Sequence, residues 1–404
     1  LNKMAFAGNC GHEVALFQEK VTAIEALFNE ELGLVLECSP DSLGKIEEEF
    51  AAAGLGEVFQ LIGSTSREKV AHISFNGRSV FSEDMLELKR QWRETSFQMK
   101  AQVVTSSCVE AEEENTADRI GPAYRLSFDP DRYGPVSFDY PGKPKAAILY
   151  DEGSNSVDEA VLACYLAGFA PFRVALTDLA QKKTSLQGFN FLFYPGGFTY
   201  KDVLGSAKGY AGMMKFNSVI SVELDHFYSR PDTLSLGVCN GCQVMTLLNR
   251  VPYTLPEIRQ PDLFVNESEN FENRFSTVKI LDSSCVFTQG MEGSVLGVYA
   301  AHGEGRFYFP DMKVLAEVLS QGLAPIRFVD DHGAETEKYP FNPNGSTLGI
   351  TALCDISGRH LAFMEHPERT ILRKQWEFWP SEWERIQNSP WLRLLQNARQ
   401  YCEK

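Results

Sequence analysis

No stretch of this 404-residue chain approaches the roughly 20 consecutive apolar residues that a membrane-spanning helix needs. Its first residues carry no charged-then-apolar signal segment. Basic residues are in the minority, with 38 Lys and Arg against 54 Asp and Glu for a net charge of −16, and they form no cluster. That balance argues against a nucleic-acid-binding chain. The nine cysteines are odd in number and lack framework spacing, which excludes a disulfide scaffold and fits a reducing, cytoplasmic compartment. A zinc site is short of ligands. Cys239 and Cys242 make one C-x-x-C pair, but Cys10, Cys38, Cys108, Cys164, Cys285, Cys354 and Cys402 are scattered singly, and no second Cys/His pair stands at ligand spacing. Residues 1–100 hold neither a phosphate loop nor a metal motif.

The length suffices for two or three domains, and the 44% of hydrophobic residues suffices for a substantial core. Residues 4–8 read as a strand with no lead-in, and the chain starts at Leu1, so a piece of a longer polypeptide is expected. Residues 34–38 read as a short strand, and residues 42–53 as a helix capped by Asp41 or Ser42 and stopped by Gly54. A strand at 70–75, the turn Asn76-Gly77 and a strand from Ser79 form a hairpin. Residues 85–99 are helical. Together these predict an α+β layer. Residues 101–143 lose periodicity: Glu110, Glu112, Glu113 and Glu114 make an acidic run, read as solvated, and Pro122, Pro130, Pro135 and Pro141 follow. This segment is expected to be an interdomain linker.

From Lys145 onward, continuous apolar strands alternate with helices. Strands are expected at 146–150, 171–176, 189–194 and at 233–236 leading into the Cys239 stretch, and helices at 157–167, 207–214 and 219–228. This is an α/β pattern with a mostly parallel sheet covered on both faces, in which ligands bind at the carboxyl ends of strands. Shorter strands are expected at 275–280, 295–301, 313–319, 326–329 and 361–364. Trp376, Trp379, Trp383 and Trp391 predict a packed edge or a docking surface.

The chemistry concentrates at Gly237-Val238-Cys239-Asn240-Gly241-Cys242-Gln243, which reads as strand, tight turn and helix with a cysteine at the corner. Flanking glycines permit the bend. The helix start offers free N–H groups and a positive dipole end to the sulfur, an environment that favours thiolate. The same geometry with serine is the nucleophile elbow of hydrolases. A redox pair of Cys239 and Cys242, or a merely buried thiol, stays open on these residues alone. A nucleophile of this kind needs a base and a group to orient it. His302-Gly303-Glu304 and His366-Pro367-Glu368 both place a carboxylate two residues from a histidine at a strand end, on the same side of extended backbone. Pro367 holds His366 extended, whereas Gly303 permits almost any backbone, which favours His366 as the base.

The Cys239 string, Pro195-Gly196-Gly197-Phe198 upstream and His366-Pro367-Glu368-Arg369 downstream resemble the class I (triad) glutamine amidotransferases, whose domain is flavodoxin-like. The strings from Gly196 to Gly209, Ala301-His302-Gly303-Glu304-Gly305 and Asn342-Pro343-Asn344-Gly345-Ser346 resemble one branch, the large single-chain ligases of de novo purine synthesis. The resemblance assigns 144–404 to the amidotransferase domain, 101–143 to a linker and 1–100 to the carboxyl-terminal remnant of an ATP-dependent synthase domain. It implies that Cys239 forms a glutamyl thioester, that His366 moves the proton and that Glu368 orients His366. Backbone N–H groups of Gly197, Phe198 and Asn240 would hold the oxyanion. Gln243 would contact glutamine, and His302 and Glu304 would lie near the substrate pocket or a domain interface. The implied partners are L-glutamine and the remainder of the synthase polypeptide, with neither nucleic acid nor membrane. ATP and Mg²⁺ would serve the synthase domain upstream of Leu1, where formylglycinamide ribonucleotide is amidated; the glutaminase step would need no cofactor or metal. Two departures stand out: Glu365 occupies a position where the family usually has proline, so it either raises the His366 pKa or points away, and the loop 251–272 is short. The alternative reading is a catalytically idle relative acting as a binding or structural protein, as in viral tegument-like proteins.

Overall fold

The computed structural model describes residues 1–30, 32–134, 142–256 and 258–403. The chain divides into two compact units. The first comprises Leu1–Gln102 and Glu113–Ile120, the second Val103–Glu112 and Gly121–Lys404.

The first unit opens with a helix, α1 (Asn2–Gly8), where a strand was expected. A short apolar run reads equally well either way, and here Ala5 and Phe6 bury against Met85 while Met4 stays exposed, the one-sided pattern of a helix. Then follow β1 (Gly11–Leu16), α2 (Ala23–Leu27), α3 (Pro40–Ala52), β2 (Gly63–Ser66), β3 (Val70–Phe75), β4 (Arg78–Asp84) and α4 (Met85–Lys100). The strands order as β2-β1-β3-β4, with β1 parallel to β3 and its other pairing antiparallel. Asn76 and Gly77, at φ 50° and 78°, make the expected hairpin turn. Residues 34–38 form no strand; Leu34 and Leu36 are exposed and the segment pairs with no sheet. Helix α3 starts earlier than expected because Pro40 suits the first helical position, behind Ser39.

The expected linker contains a helix, α5 (Ser106–Thr116). Its acidic run is not uniformly solvated: Glu112 is buried and pairs with Arg274. Pro135 and Pro141 lie outside the described residues.

The second unit is built on β5 (Lys145–Tyr150), α6 (Val157–Ala167), β6 (Ala170–Ala175), α7 (Leu176–Ala180), β7 (Phe191–Tyr194), α8 (Lys208–Phe216), α9 (Ser218–Ser229), β8 (Leu234–Val238) and α10 (Asn240–Leu247). Gly168, at φ 98°, ends α6 as anticipated. After them come β9 (Asp262–Phe264), β10 (Glu272–Ile280), β11 (Val295–His302), β12 (Arg306–Tyr308), α11 (Met312–Ser320), β13 (Ile326–Phe328), β14 (Ile350–Cys354), β15 (His360–Phe363) and α12 (Leu392–Cys402). Among the described residues nine strands form one sheet in the order β11-β10-β13-β14-β15-β8-β7-β5-β6. The strands β15, β8, β7, β5 and β6 are parallel neighbours. From β14 to β11 every pairing is antiparallel, so the sheet is mixed at that end.

Residues 313–319, expected as a strand, are the helix α11. Val314, Leu315 and Val318 bury one helical face, and the Asp311 side chain accepts the Lys313 N–H at 2.8 Å as its cap. The four tryptophans are a packed edge: Trp376, Trp379 and Trp383 meet edge-on with centroids 5.5–5.8 Å apart. Trp391 is fully buried with its Nε1–H on Gly297 O at 2.8 Å.

Candidate active site

Strand β8 is buried along its whole length and delivers Cys239 to the start of α10. Cys239 holds φ 52° and ψ −107°, a conformation a non-glycine residue adopts only when its surroundings enforce it, and such residues cluster at functional sites. The glycines around it act through close approach. A Cβ on Gly237 would lie 2.4 Å from Gly241 O, and one on Gly241 would lie 2.1 Å from Tyr194 O. The bend itself falls on the cysteine. Cys239 N–H donates to Phe363 O at 3.0 Å, locking the end of β8 to that of β15, and the Sγ sits 3.6 Å from Ala301 O.

Strand β15 leads to His366. Its N–H donates to Tyr299 O at 2.9 Å, and its Nδ1 lies 2.6 Å from Glu368 Oε1, with both side chains about 1% exposed. Burial is the largest single influence on this imidazole and pulls its pKa down. The charges of Glu368 and then of Cys239 outweigh it and push the pKa up to about 10. His366 Nε2 has no hydrogen bond of full geometry among the described residues, yet Cys239 acts on the ring through its charge and through a looser side-chain hydrogen bond. Apo catalytic bonds are often this loose.

Of the three expected oxyanion donors, one is engaged elsewhere. Phe198 N–H already donates to Gly153 O at 2.8 Å. The Asn240 amide opens a helix and has no intrahelical acceptor, and Gly197 N–H meets no backbone acceptor among the described residues. Gly197 packs so tightly that a Cβ would lie 2.5 Å from Gly153 O.

Gln243 is held at both ends of its amide. Asn240 Nδ2 donates to Gln243 Oε1 at 3.2 Å, and Gln243 Nε2 donates to Glu304 O at 2.7 Å. Asn240 in turn accepts from Thr199 Oγ1 at 2.8 Å. His302 is buried with both ring nitrogens facing protein groups, Nδ1 toward Asn266 Oδ1 at 3.3 Å and Nε2 toward Glu365 Oε1 at 3.2 Å. Its ring nitrogens are thus taken by protein groups, while the residue itself lines the cavity onto which Cys239 opens. Glu365 points away from His366. Cys242 is fully buried, and burial, with smaller contributions from Cys239 and Glu365, raises its thiol pKa well above the ordinary value. That disfavours the thiolate a redox pair needs.

Cys239 opens onto a cavity of about 290 Å³. Its charged lining is acidic, with Asp202, Glu269 and Glu304 and, among the described residues, no Lys or Arg. Phe198 and Phe271 form an aromatic wall, centroids 6.0 Å apart. Asp202 was not singled out by sequence. It ends a run of three non-glycine residues with positive φ, Tyr200, Lys201 and Asp202. Its Oδ1 is buried without a hydrogen-bond partner among the described residues, and burial, aided by the Glu304 charge, raises its pKa. Unusual backbone of this kind leaves no periodic signature, so only the string's resemblance marked the loop. Among the described residues no cluster of three or more His, Cys, Asp or Glu is arranged to hold a metal, and no helix is long and apolar enough to cross a membrane.

Three relatives share this chain's sequence over nearly all its length. It is 44% identical over 409 residues to an Arabidopsis thaliana protein named "Probable phosphoribosylformylglycinamidine synthase, chloroplastic/mitochondrial", covering 99% of this chain and 29% of that protein. Proteins named "Phosphoribosylformylglycinamidine synthase" from Homo sapiens and Dictyostelium discoideum are 40% and 38% identical, over 420 and 437 residues. Those matches take in 99% and 100% of this chain, and 31% and 32% of the two proteins. The chain thus spans under a third of the length of these relatives. The description "CobB/CobQ-like glutamine amidotransferase domain" matches residues 143–402, and the chain belongs to that family.

Proposed function

We propose that residues 143–402 hydrolyse the side-chain amide of L-glutamine, as the glutaminase part of a phosphoribosylformylglycinamidine synthase. One observation carries the reading: Cys239, at positive φ on its elbow, and the His366–Glu368 pair stand at the ends of adjacent parallel strands. The raised pKa of His366, pushed up to about 10 by Glu368 and Cys239, suits the ring to take and hold the Cys239 thiol proton as the sulfur attacks. The sulfur attacks the amide carbon, and the oxyanion settles against the amides of Gly197 and Asn240. His366 gives its proton to the departing nitrogen, ammonia leaves, and a thioester remains on Cys239. Water then attacks, with His366 accepting its proton, and glutamate is released. Glu368 holds the ring throughout.

The acidic cavity supports an amino-acid substrate, since Asp202, Glu269 and Glu304 suit an α-ammonium group. The ammonia would serve an ATP-dependent amidation of formylglycinamide ribonucleotide on another part of a longer polypeptide. The described residues offer no donor set for Mg²⁺. A cytoplasmic location accompanies this reading. The test is direct: incubated with L-glutamine, the protein releases glutamate and ammonia in equal amounts, and Cys239→Ala does neither. Equal turnover by parent and Cys239→Ala would overturn the assignment.

A further inference from the structure

One wall of the cavity lies between β9 and β10, where Val265, Glu269, Asn270 and Phe271 line it without belonging to a helix or strand. Asn266 ties the start of this wall to the 302–303 turn, its N–H on Gly303 O at 2.9 Å and its Nδ2 on His302 O at 2.7 Å. The middle of the wall is held by chain from 162 residues earlier, within the same unit. Thr105 Oγ1 donates to Glu267 O at 2.7 Å, Thr105 N–H reaches Ser268 O at 3.4 Å, and Asn270 Nδ2 donates to Val103 O. Cys108 and Val109 are buried and seat this segment on the unit. Beyond them, both Glu112 oxygens accept from Arg274 at 3.3 Å, and Arg274 Nε donates to Glu272 Oε2 at 2.6 Å. Tyr339 Oη–H completes the knot on Glu272 Oε1 at 3.1 Å. Chain at 103–112 therefore grips the wall at its middle and just past its end. Among the described residues none of that chain lines the cavity itself.

We infer that Val103–Glu112 is a strap that sets the position of the cavity wall, and through it the affinity for the amino-acid substrate, with Thr105 as its positioning residue. The inference rests on the glutaminase reading for its kinetic consequence only. A wall without helix or strand has no ladder of its own to fix it, and a lost side-chain bond to one of its carbonyls frees that backbone. The strap's described bonds run to the wall and to Arg274, whereas the Cys239–His366 pair is held by the ends of β8 and β15, so reactivity and affinity separate.

The experiment uses the whole chain with Thr105→Val, which keeps the shape and removes the donor, and Thr105→Ser, which restores it. Thr105→Val raises the KM for glutamine about tenfold, equivalent to ~1.4 kcal/mol. Its kcat stays within about twofold, the rate of Cys239 alkylation by iodoacetamide is unchanged, and Thr105→Ser returns KM to the parent value. A Thr105→Val KM within twofold of the parent, or an equal loss of alkylation rate, overturns the strap. Absence of glutamine turnover by the parent would instead defeat the functional reading, and amide hydrogen exchange then decides the strap: exchange at residues 265–271 rises in Thr105→Val, and unchanged exchange refutes it.

Discussion

The carboxylate of Glu365 faces His302 and not its sequence neighbour His366: Oε1 lies 3.2 Å from His302 Nε2 and accepts from Thr351 Oγ1 at 3.1 Å. Successive residues of extended chain point to opposite sides, so the strand that presents His366 to Cys239 turns Glu365 the other way. Asn266 Oδ1 accepts Gly305 N–H at 2.9 Å and also faces His302 Nδ1 at 3.3 Å. Buried at 1% and 0% exposure, the His302–Glu365 pair braces the turn whose Glu304 carbonyl holds Gln243. A Cβ on Gly305 would lie 2.4 Å from the His302 ring, so the turn and the ring are fitted to each other.

Removing one member of such a pair strands the other in the interior. Glu365→Ala leaves His302 Nε2 and Thr351 Oγ1 without their buried partner and is expected to destabilise the protein by roughly 1–3 kcal/mol in chemical denaturation. The titration of His366 should move little, because Glu365 is not among the groups that dominate it. A moved His366 titration with unchanged stability would show that Glu365 acts on the catalytic ring after all.

The His366 ring carries its proton far above the ordinary range, up to about 10, because Glu368 and Cys239 outweigh burial. Its folded pKa exceeds the unfolded value of about 6.5, so its protonated form stabilises the fold fully below that value, and this contribution is lost as pH rises through about 10. Nitrogen-15 NMR of labelled histidine should show the ring doubly protonated at neutral pH. In Glu368→Gln the proton should leave at lower pH, since burial is then less opposed, and kcat should fall by up to about 10⁴-fold, as when a triad loses its orienting carboxylate. A titration unaffected by Glu368→Gln would remove Glu368 from the site.

Two glycines beside functional residues should respond oppositely. Gly241→Ala places a Cβ 2.1 Å from Tyr194 O, a backbone atom that cannot yield, and should cost roughly 1–3 kcal/mol together with the loss of Cys239 alkylation. Gly303→Ala meets only Phe271, at 3.9 Å, and should be tolerated in thermal unfolding. The reverse order would contradict the packing of the elbow.

The strand–cysteine–helix elbow could be read in advance because three rules converge on few residues. A fully apolar run must be a buried strand, glycines flank one cysteine, and a proline stiffens one of two His-x-Glu strings. The parallel half of the sheet was legible for the same reason. Where a run was short the rules conflict: residues 4–8 and 313–319 became helices because Phe6 and Val314 found cores on one face, information held by distant chain. Strand β14, wholly buried between β13 and β15, and helix α12 were not foreseen. The wall at 265–271, the strained run ending in Asp202 and the grip of Thr105 and Glu112 depend on contacts far apart in sequence. The acidic run containing Glu112 accordingly read as solvent-facing.

The central claim is that Cys239 is the residue that becomes acylated. Reaction with a diazoketone analogue of glutamine, followed by peptide mapping, tests it most directly. The account predicts one adduct per chain, on Cys239, slowed by L-glutamine, absent in Cys239→Ala and retained in Cys242→Ala. An adduct on Cys242 or another cysteine, or labelling that glutamine does not slow, would contradict it.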